Sequence, residues 1–260
     1  MTSGTRAKAE RANASRPTPS RRPSRRQAST ARRRRRGGLI AAVAAVAAVV
    51  LILLVSRTDG TSSLDATVTT TSLSSLGALV DPGPPGAVGP EREPIPSGSA
   101  LASTTTSAGG GPIDGIACLG AEQSLFHIHV HLTVFVDGQA RQVPAGIGIV
   151  NPQMQNTPQG AFVGGGSCLY WLHTHAADGI VHIESPVRKV FTLGDFFGIW
   201  GQPIGPDQLG PISGHVTALY DGRLFRGDPA SLPLVAHAQI QLEVGTSLVK
   251  PESVTFQGGL

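Results

Sequence analysis

The stretch Phe126-His127-Ile128-His129-Val130-His131-Leu132-Thr133-Val134-Phe135-Val136 decides how this chain is read. Aliphatic residues at Ile128, Val130, Leu132, Val134 and Val136 alternate with His127, His129, His131, Thr133 and Phe135. A period of two is the signature of a β-strand, whose successive side chains point to opposite faces. One face is therefore a core face, and the other carries three imidazoles in a row. Asp137-Gly138 follows as a hairpin turn signal.

Working outward, the same pattern recurs. Leu169 to His175 ends in His173-Thr174-His175, Asp178-Gly179 is a second turn signal, and Ile180 to Glu184 brings His182 and Glu184. His215 to Tyr220, Asp221-Gly222 and Arg223 to Phe225 predict a third hairpin, and Ala238 to Val244 a closing strand. One helix is expected, with Thr192 as N-cap, Leu193 to Trp200 as its body and Gly201 as its stop. It sets Leu193, Phe196, Phe197 and Trp200 on one stripe. The predicted fold of residues 113–250 is mainly β, an antiparallel sandwich or barrel-like sheet with one short helix. The alternative is an α+β, β-grasp-like sheet, because a hairpin, a helix and later strands occur in that order. Residues 251–260 are read as a tail.

The residues before this domain are of a different kind. Residues 1–36 hold 13 of the chain's 21 Lys and Arg and one acid, Glu10. The 17 uncharged residues Leu39 to Val55 follow, about 26 Å as a helix and enough for a bilayer core. With Gly37 and Gly38 they predict one transmembrane helix over 37–55. The basic flank puts the N-terminus in the cytoplasm and the C-terminal domain outside the cell membrane. The basic tail then favours anionic lipid, and no nucleic-acid reading module accompanies it. Ser56-Arg57-Thr58-Asp59 is a poor small-residue cleavage site, so an uncleaved signal-anchor is expected, with a twin-arginine signal as the alternative. Residues 56–112 are rich in Ser, Thr, Gly and Pro and contain no aromatic residue, which predicts a disordered stalk.

The histidines carry the functional reading. Neutral imidazole is the commonest metal ligand, and residues two apart on a strand share a face. A tight turn at Asp178-Gly179 would set His175 opposite His182 and His173 opposite Glu184; a longer loop would set His173 opposite His182. Either register keeps His173, His175, His182 and Glu184 on one face, a set suited to Zn²⁺ or Cu²⁺. His127 and His131 lie roughly 13 Å apart along their strand, too far for one ion. That run therefore supplies supporting ligands, His129 first and then His127 or His131. Isolated His215 and His237 are expected on the surface. Met1 and Met154 are the only methionines, which disfavours Met-rich copper(I) handling. Cys118 and Cys168, outside the membrane, predict a structural disulfide, with thiolate ligation as the alternative.

Three functions fit this set: divalent-metal binding, a metal-dependent enzyme with Glu184 as general base, and a non-catalytic envelope protein with a structural or pH-responsive histidine patch. No Gly-x-Ser-x-Gly elbow, P-loop or His-Glu-x-x-His helix occurs. Four ordered blocks resemble a little-characterised family of membrane-anchored bacterial and archaeal proteins. They are His127-x-His-x-His-Leu132, Cys168-Leu-Tyr-Trp-Leu-His-Thr-His175, Gly179-x-x-His-Ile-Glu184 and Phe191-Thr-Leu-Gly-Asp-Phe-Phe-Gly-Ile-Trp-Gly201. The resemblance covers about residues 115–245. It implies a single extracytoplasmic domain and brings no activity, ligand or partner with it.

Overall fold

The structure is a computed structural model that describes residues 68–260; the expected span over 37–55 and the basic tail lie outside the described residues. Among the described residues no helix is long and apolar enough to cross a membrane. The described part is mainly β with one α-helix.

Its centre is an eight-stranded sheet. In chain order its strands are β1 (Thr70–Thr71), β2 (Phe126–Val136), β3 (Gln139–Arg141), β4 (Leu172–His173) and β5 (Ile180–Ser185). After the helix α1 (Leu193–Trp200) come β6 (Val216–Tyr220), β7 (Arg223–Phe225) and β8 (Gln239–Val244). They lie side by side as β1-β7-β6-β8-β2-β5-β4, with β3 paired to the end of β2. The sheet is mixed, not wholly antiparallel as expected. β8 runs parallel to β2, with Gln239 beside His131 and Val244 beside Val136. Local alternation predicts each strand but carries no information on which distant strand lies beside it.

The turn chemistry accounts for two hairpins. Asp137 and Gly138 have φ of 49° and 72°, and Asp221 and Gly222 of 49° and 71°. Left-handed conformation at both central residues matches the twist of the flanking strands, and Asx-Gly adopts it at low cost. Helix α1 forms where expected. Thr192 Oγ1 accepts from Asp195 N at 3.2 Å and Asp195 Oδ2 accepts from Thr192 N at 2.8 Å, a reciprocal cap, and Gly201 ends the helix at φ 69°. Phe196, Phe197 and Trp200 are fully buried and join Val130, Leu132 and Val134 in one core.

The predicted strand 169–175 is broken at Trp171. Cys168–Tyr170 pairs instead with Cys118–Leu119 and Ile149–Val150 in a separate three-stranded sheet. That sheet carries the disulfide Cys118–Cys168, with Cα atoms 5.4 Å apart. Thiolate ligation by these cysteines is thereby replaced by the bridge.

The largest difference concerns the expected stalk. Residues 68–112 are fastened along the domain. β1 pairs with β7, Val80 exchanges backbone hydrogen bonds with the Leu248–Lys250 segment, and Leu101 N donates to Gln142 O at 2.9 Å. Leu101 is 6% exposed and part of the core, and Trp200 Nε1 donates to Ser103 O. Such a segment needs no core of its own, only a few apolar anchors and partners for its backbone groups. The 251–260 tail is likewise tied down: Gln241 Oε1 accepts from Glu252 N and Gln239 Oε1 from Val254 N. Together the strap over residues 80–101 and the tail border the His131–Phe135 end of the histidine face of β2, while His127 at the other end is exposed. Between them lies a cavity of about 530 Å³ lined by His131, Thr133, Phe135, Pro84, Pro94 and Val254.

Candidate metal centre

β5 lies between β2 and β4, and this order assembles the site. His182 on β5 is paired with His129 on one side and with His173 on the other, so three imidazoles form a row across the sheet. Glu184 is paired with His127 one step along. The pairing of His173 with His182 is the longer-loop register of the two weighed above. Parity holds, and the side chains share a face as the alternation requires.

Two quartets of ligand atoms result, His127-His129-His182-Glu184 and His173-His175-His182-Glu184, each with all its atoms within 4.8 Å of one another. In the first, His127 Nε2 is 3.0 Å from His129 Nε2, and His129 Nε2 is 3.0 Å from His182 Nδ1. Glu184 Oε1 lies 3.2 Å from His127 Nε2 and 3.4 Å from His182 Nδ1. A tetrahedron of ligands at about 2.0–2.1 Å from a central ion has edges of about 3.3–3.4 Å. In the second quartet His173 Nε2 and His175 Nε2 are 3.1 Å apart, and His175 Nε2 is 3.5 Å from Glu122 Oε1.

The outer nitrogens are held from behind. His173 Nδ1 donates to Tyr170 O at 2.8 Å and His175 Nδ1 to Val163 O at 2.5 Å. These bonds fix the tautomer and leave each Nε2 with a free lone pair. His182 Nε2 donates to Glu91 Oε1 at 2.7 Å, leaving Nδ1 to face the first quartet. A buried carboxylate behind a ligating histidine is a recurrent feature of metal sites. Phe162 stacks on His175 at 5.1 Å and holds its ring plane.

Burial sets the protonation. His129, His173, His175, His182 and Glu184 are all buried, while His127 has 42% of its side chain exposed. Burial, reinforced by the neighbouring imidazoles, pushes His129 down to about 3 and His173 well below the usual histidine range. His175 is lowered for the same reasons. Burial also pulls on His182, but hydrogen bonds to Glu184 and Glu91 outweigh it and raise this ring to about 9. Most of the cluster is therefore in the neutral form that binds metal. Glu184 Oε2 and Glu91 Oε2 are buried without a hydrogen-bond partner. Such atoms are costly unless something positive meets them.

The remaining candidates fall outside the quartets. His131 is paired with Ile180, donates through Nε2 to Asp178 O at 2.9 Å and accepts from Thr133 Oγ1 through Nδ1 at 3.2 Å. With both nitrogens engaged it is a structural residue, and burial lowers it to about 4. Gly179, at φ 88°, lets the chain pass there: a Cβ would sit 2.5 Å from Leu132 O and 3.0 Å from His131 Nε2. His215 and His237 are exposed. Glu91 and Glu122 were not among the sequence candidates. For Glu91 a signal existed, since Glu91-Arg92-Glu93 between Pro90 and Pro94 holds the only charges in residues 82–112.

No family model, curated protein or solved structure matches the chain, so the functional reading rests on the site's own chemistry.

Proposed function

We propose that this protein is an extracytoplasmic, membrane-anchored domain that binds a divalent transition metal ion, zinc or copper, through its histidine cluster. One observation carries the reading. His127 Nε2, His129 Nε2, His182 Nδ1 and Glu184 Oε1 have neighbouring separations of 3.0–3.4 Å, close to the edges of a tetrahedral three-histidine, one-carboxylate shell. Three nitrogens and one oxygen at that spacing fit Zn²⁺ best, and imidazole also suits Cu²⁺.

Four protein donors favour binding over catalysis, because catalytic zinc keeps a position for water. The enzyme reading with Glu184 as base is weakened further, since Glu184 is itself a member of the shell. The anchor and the outside location rest on the apolar Leu39–Val55 run and its basic flank, in keeping with a disulfide-bonded domain. We read the sheet as β-grasp-like, because the parallel central pair β2 and β8 is flanked by β5 on one side and the β6–β7 hairpin on the other, with α1 between β5 and β6 in the chain.

The test is metal analysis of the purified full-length chain, with melting measured before and after adding Zn²⁺ or Cu²⁺. At least one ion per chain and a raised Tm are expected, with affinity sharply reduced in His129→Ala and His182→Ala. Absence of bound metal, together with an unchanged Tm on adding either ion, would overturn the proposal.

A further inference from the structure

We infer that the cluster is a two-ion centre, in which a second divalent ion sits on the β4 side of His182, held by His173 and His175 and sharing Glu184 with the first. The inference rests on the metal-binding reading above and adds a second position to it.

His173 Nε2 and His175 Nε2 carry the argument. Each ring spends its Nδ1 proton on a backbone carbonyl, Tyr170 O or Val163 O. Both Nε2 atoms are therefore acceptors, and they face each other at 3.1 Å in a buried setting. The third group within reach, Glu122 Oε1 at 3.5 Å from His175 Nε2, is also an acceptor. Lone pairs converging without a donor between them repel, and a cation is what turns that arrangement into an attraction.

The first ion does not serve this purpose. Its own shell is complete with His127, His129, His182 and Glu184. Its two private ligands come from β2, two strand spacings from β4, or about 9–10 Å across the sheet. Both quartets nevertheless contain His182 and Glu184. His182 has Nδ1 in the first shell and Nε2 on Glu91, so it serves one ion alone, whereas the two oxygens of the Glu184 carboxylate can bridge a pair of ions. Glu184 Oε2, buried and without a hydrogen-bond partner, is the atom left over for that role. The second ion is of the same borderline class, taking two imidazoles and carboxylate oxygen. Its shell reaches solvent through Glu122, which is 52% exposed.

The test is stoichiometry. The full-length chain is stripped with chelator and titrated with Zn²⁺, and bound metal is counted after removal of excess. Two ions per chain are expected for wild type, and one for either His173→Asn/His175→Asn or His127→Asn/His129→Asn. One ion in wild type that survives loss of His173 and His175 overturns the second position and leaves the single-ion proposal standing. One ion lost with either pair also overturns it, in favour of a single ion with mixed ligands. No ion at all overturns both. A measurement on wild type alone guards against variants that fail to fold. Loading with two equivalents of Cu²⁺ should give electron paramagnetic resonance of a coupled pair with a half-field transition. Two isolated copper signals at that loading would refute a centre with a shared ligand.

Discussion

Glu91 accepts a hydrogen bond from His182 Nε2 at 2.7 Å, across 91 residues of chain. The strap therefore orients the one histidine common to both ligand quartets. A carboxylate behind a metal-ligating histidine fixes its tautomer and raises its basicity, and removing such a partner typically costs 10–100-fold in metal affinity. Glu91→Ala is expected to lose metal affinity within about that range, read by competition against a chelator of known strength. Unchanged affinity would show that the strap merely covers the site.

The same contact predicts how the metal-stripped protein responds to pH. His182 is raised to about 9 because Glu184 and Glu91 together overcome its burial. The folded value lies above the unfolded value of about 6.5, so the stabilisation is complete below about pH 6.5 and is lost as pH rises through about 9. The slope is at most about 1.4 kcal/mol per pH unit. Chelator-treated protein should therefore show a Tm that falls between pH 7 and 9, and the fall should be shallower in Glu91→Gln. Metal binding expels this proton, so metal affinity should rise over the same window. A flat Tm profile in the stripped protein would refute the linkage.

The strap also sets where the domain begins. A chain starting at residue 113 loses Glu91, the β1–β7 pairing, the Ser103 carbonyl that receives Trp200 Nε1, and buried Leu101. Burial of one leucine side chain alone is worth about 1.5–3 kcal/mol. Such a chain should melt at a lower temperature and bind metal more weakly than one starting at residue 68. Equal melting temperatures would mean that residues 68–112 contribute nothing to stability.

What the sequence makes legible follows from what each signal measures. Alternation reports which residues share a face of one strand or hairpin, so His127 with His129, and His173, His175 and His182 with Glu184, are readable as two sets without coordinates, whereas their meeting comes from the β2–β5 pairing. The helix is readable to the residue because Thr192, Asp195 and Gly201 act within a single turn of it. Register is not readable in this way. His173 opposite His182 depends on the path of the loop between them, and both registers satisfy the same parity. The parallel β2–β8 pairing and the arrival of Glu91 are long-range events, decided by packing between segments about a hundred or fewer residues apart. A Pro/Gly/Ser-rich composition says that residues 68–112 form no core of their own; it does not say that they cannot lie on someone else's.

The disulfide should matter for stability more than for ligation. Cys118 and Cys168 close a separation of 50 residues, which in the chain-entropy picture is worth about 4 kcal/mol. Cys118→Ser/Cys168→Ser should lower Tm substantially while leaving the number of bound metal ions unchanged under conditions where the variant is folded. A loss of bound metal in the folded double variant would reassign the thiols to the metal centre.

His129 and His131 are two residues apart on the same face of β2, yet they should behave differently. His129 Nε2 lies 3.0 Å from both His127 Nε2 and His182 Nδ1, whereas His131 has both nitrogens engaged by Asp178 O and Thr133 Oγ1. His129→Ala should reduce bound metal with a modest effect on the stability of the stripped protein. His131→Ala should leave bound metal unchanged, but removing a buried imidazole leaves Thr133 and the Asp178 carbonyl without their partner. That costs about 1–3 kcal/mol for each group left unsatisfied. Metal counting and chelator-treated melting curves of the two variants separate the roles, and loss of metal in His131→Ala at full folding would place His131 in the centre.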